Sequence, residues 1–144
     1  MLLLLFVTYL FTSKRCYAMN RLTSLLNRII CGDASPHECV TFNKHFNCIR
    51  KNEINWNDVV NEAAHSSSKV KDVVTEYFTN HSDVFATAHV ICLCVFLCDV
   101  CNLMIKNGVS LDVCDLVQHL VYSMIDRDVE VCLKYLNCFG KIND

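Results

Sequence analysis

Between Val84 and Ile105 the chain reads VFATAHVICLCVFLCDVCNLMI, 22 residues whose only polar members are Thr87, His89, Asp99 and Asn102. As a helix this run would be roughly 33 Å long, enough to cross a bilayer or the full width of a small domain. Asp99 decides between the two, because an acid near the middle of a membrane span costs on the order of 3 kcal/mol. The segments on either side each carry a single apolar stripe, and such stripes need apolar surface to cover. The run therefore predicts a helix buried on nearly all sides and wrapped by amphipathic helices.

The rest of the chain is consistent with one such helical bundle. Its 144 residues are enough for one domain with a sizeable core, and a 53% apolar composition with 3 Gly and 1 Pro favours helices over loops. A formal charge of -2 offers nothing to a nucleic-acid backbone. There are 11 cysteines, an odd number. Cys92, Cys94, Cys98 and Cys101 fall on the central run and Cys114, Cys132 and Cys138 in or beside apolar stripes. That placement reads as small buried hydrophobes in a reducing compartment rather than a disulfide framework.

Residues 1–18 stand apart from residues 19–144, which form the single helical domain. MLLLLFVTYLFT is apolar, Lys14 and Arg15 follow it, and Cys16-Tyr17-Ala18 has the small-x-small pattern of a signal-peptidase site without the preceding positive charge. A cleaved signal, a short anchor and a start placed too early, with Met19 as the true first residue, all fit. The last is preferred here, because a clean helix begins at Met19.

Leu22, Leu25, Leu26, Ile29 and Ile30 recur at helical spacing, and Gly32 stops that helix. Ser35-Pro36-His37-Glu38 provides an N-cap, a first-turn proline and a capping-box glutamate. The helix behind it shows Cys39, Phe42, Phe46 and Ile49 on one face. Asn55 is placed to cap a short helix with Trp56, Val59 and Val60, and Ser66 to Ser68 interrupt it. Val70, Val73, Val74, Tyr77 and Phe78 then mark a half-buried helix, after which Asn80-His81-Ser82 turns and Ser82 or Asp83 caps the central helix. Asn107-Gly108 ends that helix. Val113, Leu116, Val117, Leu120, Val121 and Met124 stripe the next, and Cys132, Tyr135, Leu136 and Phe139 the last. The expectation is an all-α bundle of about seven helices.

Chemistry is hard to place on this pattern. Cys98-x-x-Cys101 has metal-like spacing, but two core thiols with His89 two or three turns away do not make a four-ligand zinc site. None of the six histidines stands beside a cysteine in a nucleophile signature. Gly32, Gly108 and Gly140 are too far apart for a phosphate loop. The reading is a non-enzymatic chain without metal or cofactor, working by surface recognition. The faces holding Phe42, Phe46 and Ile49 and those holding Val73, Val74, Tyr77 and Phe78 are the candidate walls of a groove for a partner's amphipathic helix.

The helix order and one local passage resemble the Bcl-2 family of apoptosis regulators over about residues 20–140. Val73-Val74-Thr75-Glu76-Tyr77-Phe78, a turn, and Val84-Phe85-Ala86-Thr87 are similar to the family's Val-Val-x-Glu-Leu-Phe, turn, Asn-Trp-Gly-Arg. Kept helices with few kept motif residues resemble the divergent Bcl-2-like proteins of large DNA viruses. That resemblance implies a Bcl-2-like bundle around a buried central helix, acting in the host-cell cytoplasm and at mitochondria without a C-terminal membrane anchor. It implies an apoptosis inhibitor that sequesters pro-apoptotic host proteins by their death-promoting helix, with a homodimer as a further partner. The implied groove residues are Phe42, Phe46, Ile49, Val73, Val74, Tyr77, Phe78, Phe85, Ala86, Thr87 and His89. Thr87 stands where the family has its aspartate-pairing arginine, which implies a narrow ligand range. The alternative within the same group is a modulator of innate immune signalling of the NF-kappa-B type that works through outer helix surfaces.

Overall fold

The computed structural model describes residues 2–52 and 55–140, giving the helix path alone at residues 2 and 6–12. Among the described residues there are seven α-helices and no strand: α1 (Leu2–Cys31), α2 (Pro36–Asn52), α3 (Trp56–Ala63), α4 (Ser67–Asn80), α5 (Thr87–Lys106), α6 (Val113–Arg127) and α7 (Val129–Asn137). The expected all-α class is what the chain adopts.

α5 packs against every other helix, and α1 lies along α5, α6 and α7. Its Val90, Cys94, Val95, Val100, Cys101 and Met104 are fully buried, as are Leu22 and Leu26 of α1 and Val117, Val121 and Met124 of α6. By length and composition α5 could cross a membrane, yet more than half of its apolar window is covered by the bundle.

Junctions between helices are set by local chemistry. At the end of α1, the Gly32 N–H bonds to the Ile29 carbonyl and the Asp33 N–H to the Arg28 carbonyl, with Gly32 at a φ of 80°. This paired closure needs the left-handed conformation that glycine adopts without strain. The capping box follows as expected. Ser35 Oγ accepts from the Glu38 N–H at 3.2 Å, and Glu38 Oε1 accepts from the Ser35 N–H at 3.0 Å. Arg28 of α1 also reaches Glu38 Oε2 at 2.5 Å. Burial alone would raise the Glu38 pKa, but the bonds from Ser35 and Arg28 outweigh it and hold the carboxyl below its usual range.

Three boundaries differ from the sequence expectation. α1 begins at Leu2 rather than Met19, since no Gly or Pro breaks the chain before Gly32. Asn55 occupies the N-cap of α3 without a side-chain cap bond. The central helix is capped at Ala86, not at Ser82 or Asp83, and starts at Thr87. There the cap comes from inside the helix, where His89 Nδ1 accepts from the Ala86 N–H at 2.9 Å. Arg127 of α6 meanwhile donates to the carbonyl oxygens of His81 (2.9 Å) and Ser82, holding that segment as loop.

Candidate functional site

A surface cleft of about 440 Å³ lies among α3, α4 and α5. Cys92, Leu93 and Phe96 of the central helix line it, with Val73, Val74 and Tyr77 of α4 and Trp56 and Val59 of α3 as walls. Asn52 and Asn55 add polar groups where α2 passes into α3, and His81 adds one where α4 ends. No Lys, Arg, Asp or Glu is among these lining residues. An uncharged, mostly apolar cleft of this kind gains binding energy by excluding water, and its few polar groups fix orientation.

One end of the cleft is organised by the acid that interrupts the apolar run. Asp99 accepts from Trp56 Nε1 at 2.7 Å and from the Arg50 guanidinium at 2.9 Å, which links α3 and α2 to α5. The Trp56 ring then meets Phe96 edge-on, with centroids 6.2 Å apart. Arg50 lies 4.0 Å from the Phe46 ring centroid, a cation–π distance. Asp99 is thus paired and hydrogen-bonded at the edge of the core, as an acid in such a run must be.

The other end is a nest of rings. His81 stacks on Tyr77 at 4.2 Å and faces His89 at 4.9 Å, and its Nδ1 lies 2.9 Å from the Tyr77 carbonyl oxygen. Phe85 stacks on His89 at 5.9 Å and packs on Phe78 at 5.5 Å. Since His89 Nδ1 accepts a hydrogen bond, that ring carries its proton on Nε2.

Of the eleven residues expected to form the groove, Val73, Val74 and Tyr77 line this cleft. Phe42 is core, 3% exposed, with its ring edge-on to Phe46. Phe46 and Ile49 are half-buried against the core. Phe78 turns toward a separate shallow hollow with Thr75, Thr79, Ser82, Ser123 and Arg127. Phe85 lies near the Arg127 guanidinium, 6.0 Å from ring centroid to Cζ. Ala86, Thr87 and His89 form the start of α5 and do not line the cleft. The sequence reading missed Trp56, Val59, Cys92, Leu93 and Phe96 as lining. The available signal was Asp99, an acid requiring donors, which Trp56 and Arg50 supply from 43 and 49 residues away.

All eleven cysteines are free. Burial pushes the Cys94 and Cys98 thiols well up, and those of Cys101 and Cys132 to about 12, so none of the four is a thiolate at neutral pH. Among the described residues no cluster of three or more His, Cys, Asp or Glu side chains is placed to hold a metal ion.

The chain matches no protein-family model, no curated protein and no solved structure.

Proposed function

We propose that the chain is a Bcl-2-like inhibitor of apoptosis that holds the amphipathic death-promoting helix of a pro-apoptotic host protein in the cleft among α3, α4 and α5. The observation that carries this reading is a mostly apolar cleft of about 440 Å³, with no charged side chain among its described lining residues, lined by the central helix and walled by α3 and α4. A partner helix would place apolar residues at i, i+3, i+4 and i+7 into it. Each Leu or Ile buried there contributes about 1.5 to 3 kcal/mol before ordering costs, so a few suffice for useful affinity.

No cation is among the cleft's described lining residues, which bears on selectivity. A ligand relying on its aspartate for affinity gains little here, so few death-promoting helices bind well.

Calorimetric titration of the full chain with a panel of death-promoting peptides tests both statements. One or a few peptides bind with sub-micromolar Kd. Val59→Glu and Val73→Glu, which put a charge into the apolar walls, abolish binding while the protein stays folded. Phe85→Ala, outside the cleft, leaves the affinity of the folded fraction unchanged. Absence of binding to every peptide overturns the reading and transfers function to the outer helix surfaces. Equal binding by the whole panel overturns the narrow range.

A further inference from the structure

The Leu2 end of α1 has a surface that a helical bundle cannot use. Ala18 is the first fully buried residue of the described side chains, although α1 runs unbroken from Leu2. Leu3 is 76% exposed and Leu5 67% exposed. Two residues apart on a helix means about 200° around its axis, so these leucines point to nearly opposite sides. Residues 2–12 read LLLLFVTYLFT, in which Thr8 and Thr12 are the polar members. Leu3 and Leu5 therefore leave apolar surface on opposite sides of this end of the helix, and residues 2–12 carry no charged side chain.

This circumference selects the kind of partner. A protein groove, or a second copy of the chain, covers a stripe of a helix and leaves the rest to water. Lipid surrounds a helix on every side. An exposed apolar patch of this kind marks a contact surface.

Length and charge fix how such a helix would sit. Eleven residues rise about 17 Å, too short for a hydrocarbon core of about 30 Å but sufficient for one leaflet. Ser13, Lys14 and Arg15 come next, where the polar headgroups would lie. Lys14 and Arg15 hold Glu130 of α7 and Asp126 of α6 at 3.1 and 2.5 Å, so this charged layer belongs to the rim of the bundle. Because both cations already face carboxylates on that rim, binding rests on apolar insertion rather than on anionic headgroups.

We propose that residues 2–12 are a monotopic membrane anchor, inserted as a helix into one leaflet with the bundle held at the headgroup level by the Lys14–Arg15 layer. The anchor is independent of what occupies the cleft. Flotation of the full chain with phosphatidylcholine vesicles, with and without phosphatidylserine, tests it. The protein floats with both vesicles, and high salt does not release it. Leu3→Glu/Leu5→Glu lowers partitioning at least about a hundredfold, with the helical content and urea midpoint of the bundle kept. In the wild-type chain, hydrogen exchange at residues 3–12 slows when phosphatidylcholine vesicles are added, while exchange in α2 to α7 does not change. This second measurement stands even if the double variant misfolds. Failure of the wild-type chain to float, equal flotation of the folded variant, or unchanged exchange at residues 3–12 overturns the anchor. So does a stable dimer that buries the segment without vesicles, or removal of the segment by cleavage after Ala18 in cells.

Discussion

Asp99 joins three helices through one side chain. Its carboxylate is 11% exposed, while the Arg50 side chain opposite is 54% exposed. Water and salt therefore weaken the ion pair to Arg50, whose loss costs less than about 1 kcal/mol. The bond from Trp56 Nε1 is different, because Trp56 is buried and its indole N–H donates to Asp99. Leaving such a donor unsatisfied costs about 1 to 3 kcal/mol. Asp99→Ala is thus expected to lower stability by about 2 kcal/mol, Arg50→Ala by less than half as much, and Asp99→Asn by an intermediate amount, since its amide oxygen still accepts from the indole. Urea denaturation of the three variants checks this order. Equal effects for Asp99→Ala and Arg50→Ala would mean that the charge pair, not the indole bond, carries the contribution. The same change frees the Trp56 ring that meets Phe96 at the cleft.

Among the helices, the junctions separate side chains that cap from side chains that merely occupy a cap position. Ser35 bonds reciprocally with Glu38, whereas Asn55 makes no cap bond. Ser35→Ala is expected to cost about 1 kcal/mol and Asn55→Ala close to nothing, as read from thermal or urea midpoints. The helices were legible in the sequence because each buries one stripe, and stripes appear as three- and four-residue spacing. Gly32 and the Ser35–Glu38 box were legible because their signals are local and nearly unambiguous. The start of α5 was not, since its cap is a histidine three residues inside the helix and its loop is fixed by Arg127, 45 residues away from Ser82. The cleft was only partly legible for a related reason. Periodicity marks Phe42 and Val73 equally as apolar, but which helix covers each depends on pairing across the bundle. α2 uses its stripe against the core, while α4 leaves Val73 and Tyr77 beside the short α3.

For the molecule as a whole, packing choices become a dependence on pH. His45 of α2 lies between Tyr135 and Phe139, with ring centroids 5.9 and 5.8 Å away, and its buried Nδ1 has no hydrogen-bond partner among the described residues. Burial holds its pKa below the usual 6.5. His119 of α6 is lowered as well, by burial and then by the Lys71 charge, against a smaller opposing effect of Asp115. In the unfolded chain both imidazoles take up protons near pH 6.5, while in the folded protein they resist. The unfolded state thus binds more protons as pH falls, so stability is full above about pH 6.5 and declines below it. Glu38 adds a second decline in the same direction. Its folded pKa is depressed, so its contribution is present above the model-peptide value of 4.5 and is lost as pH drops through the lower folded value. Urea midpoints are therefore expected to fall from pH 7.5 to 5.5 and again below pH 4.5. His45→Phe, which keeps an aromatic ring between Tyr135 and Phe139 but cannot titrate, reduces the first decline to the share of His119 and leaves the second in place. A slope between pH 7.5 and 5.5 unchanged by His45→Phe would assign that decline to His119 or to another group, and would remove His45 as the site where burying a ring on the α7 side of α2 makes the fold sensitive to acid.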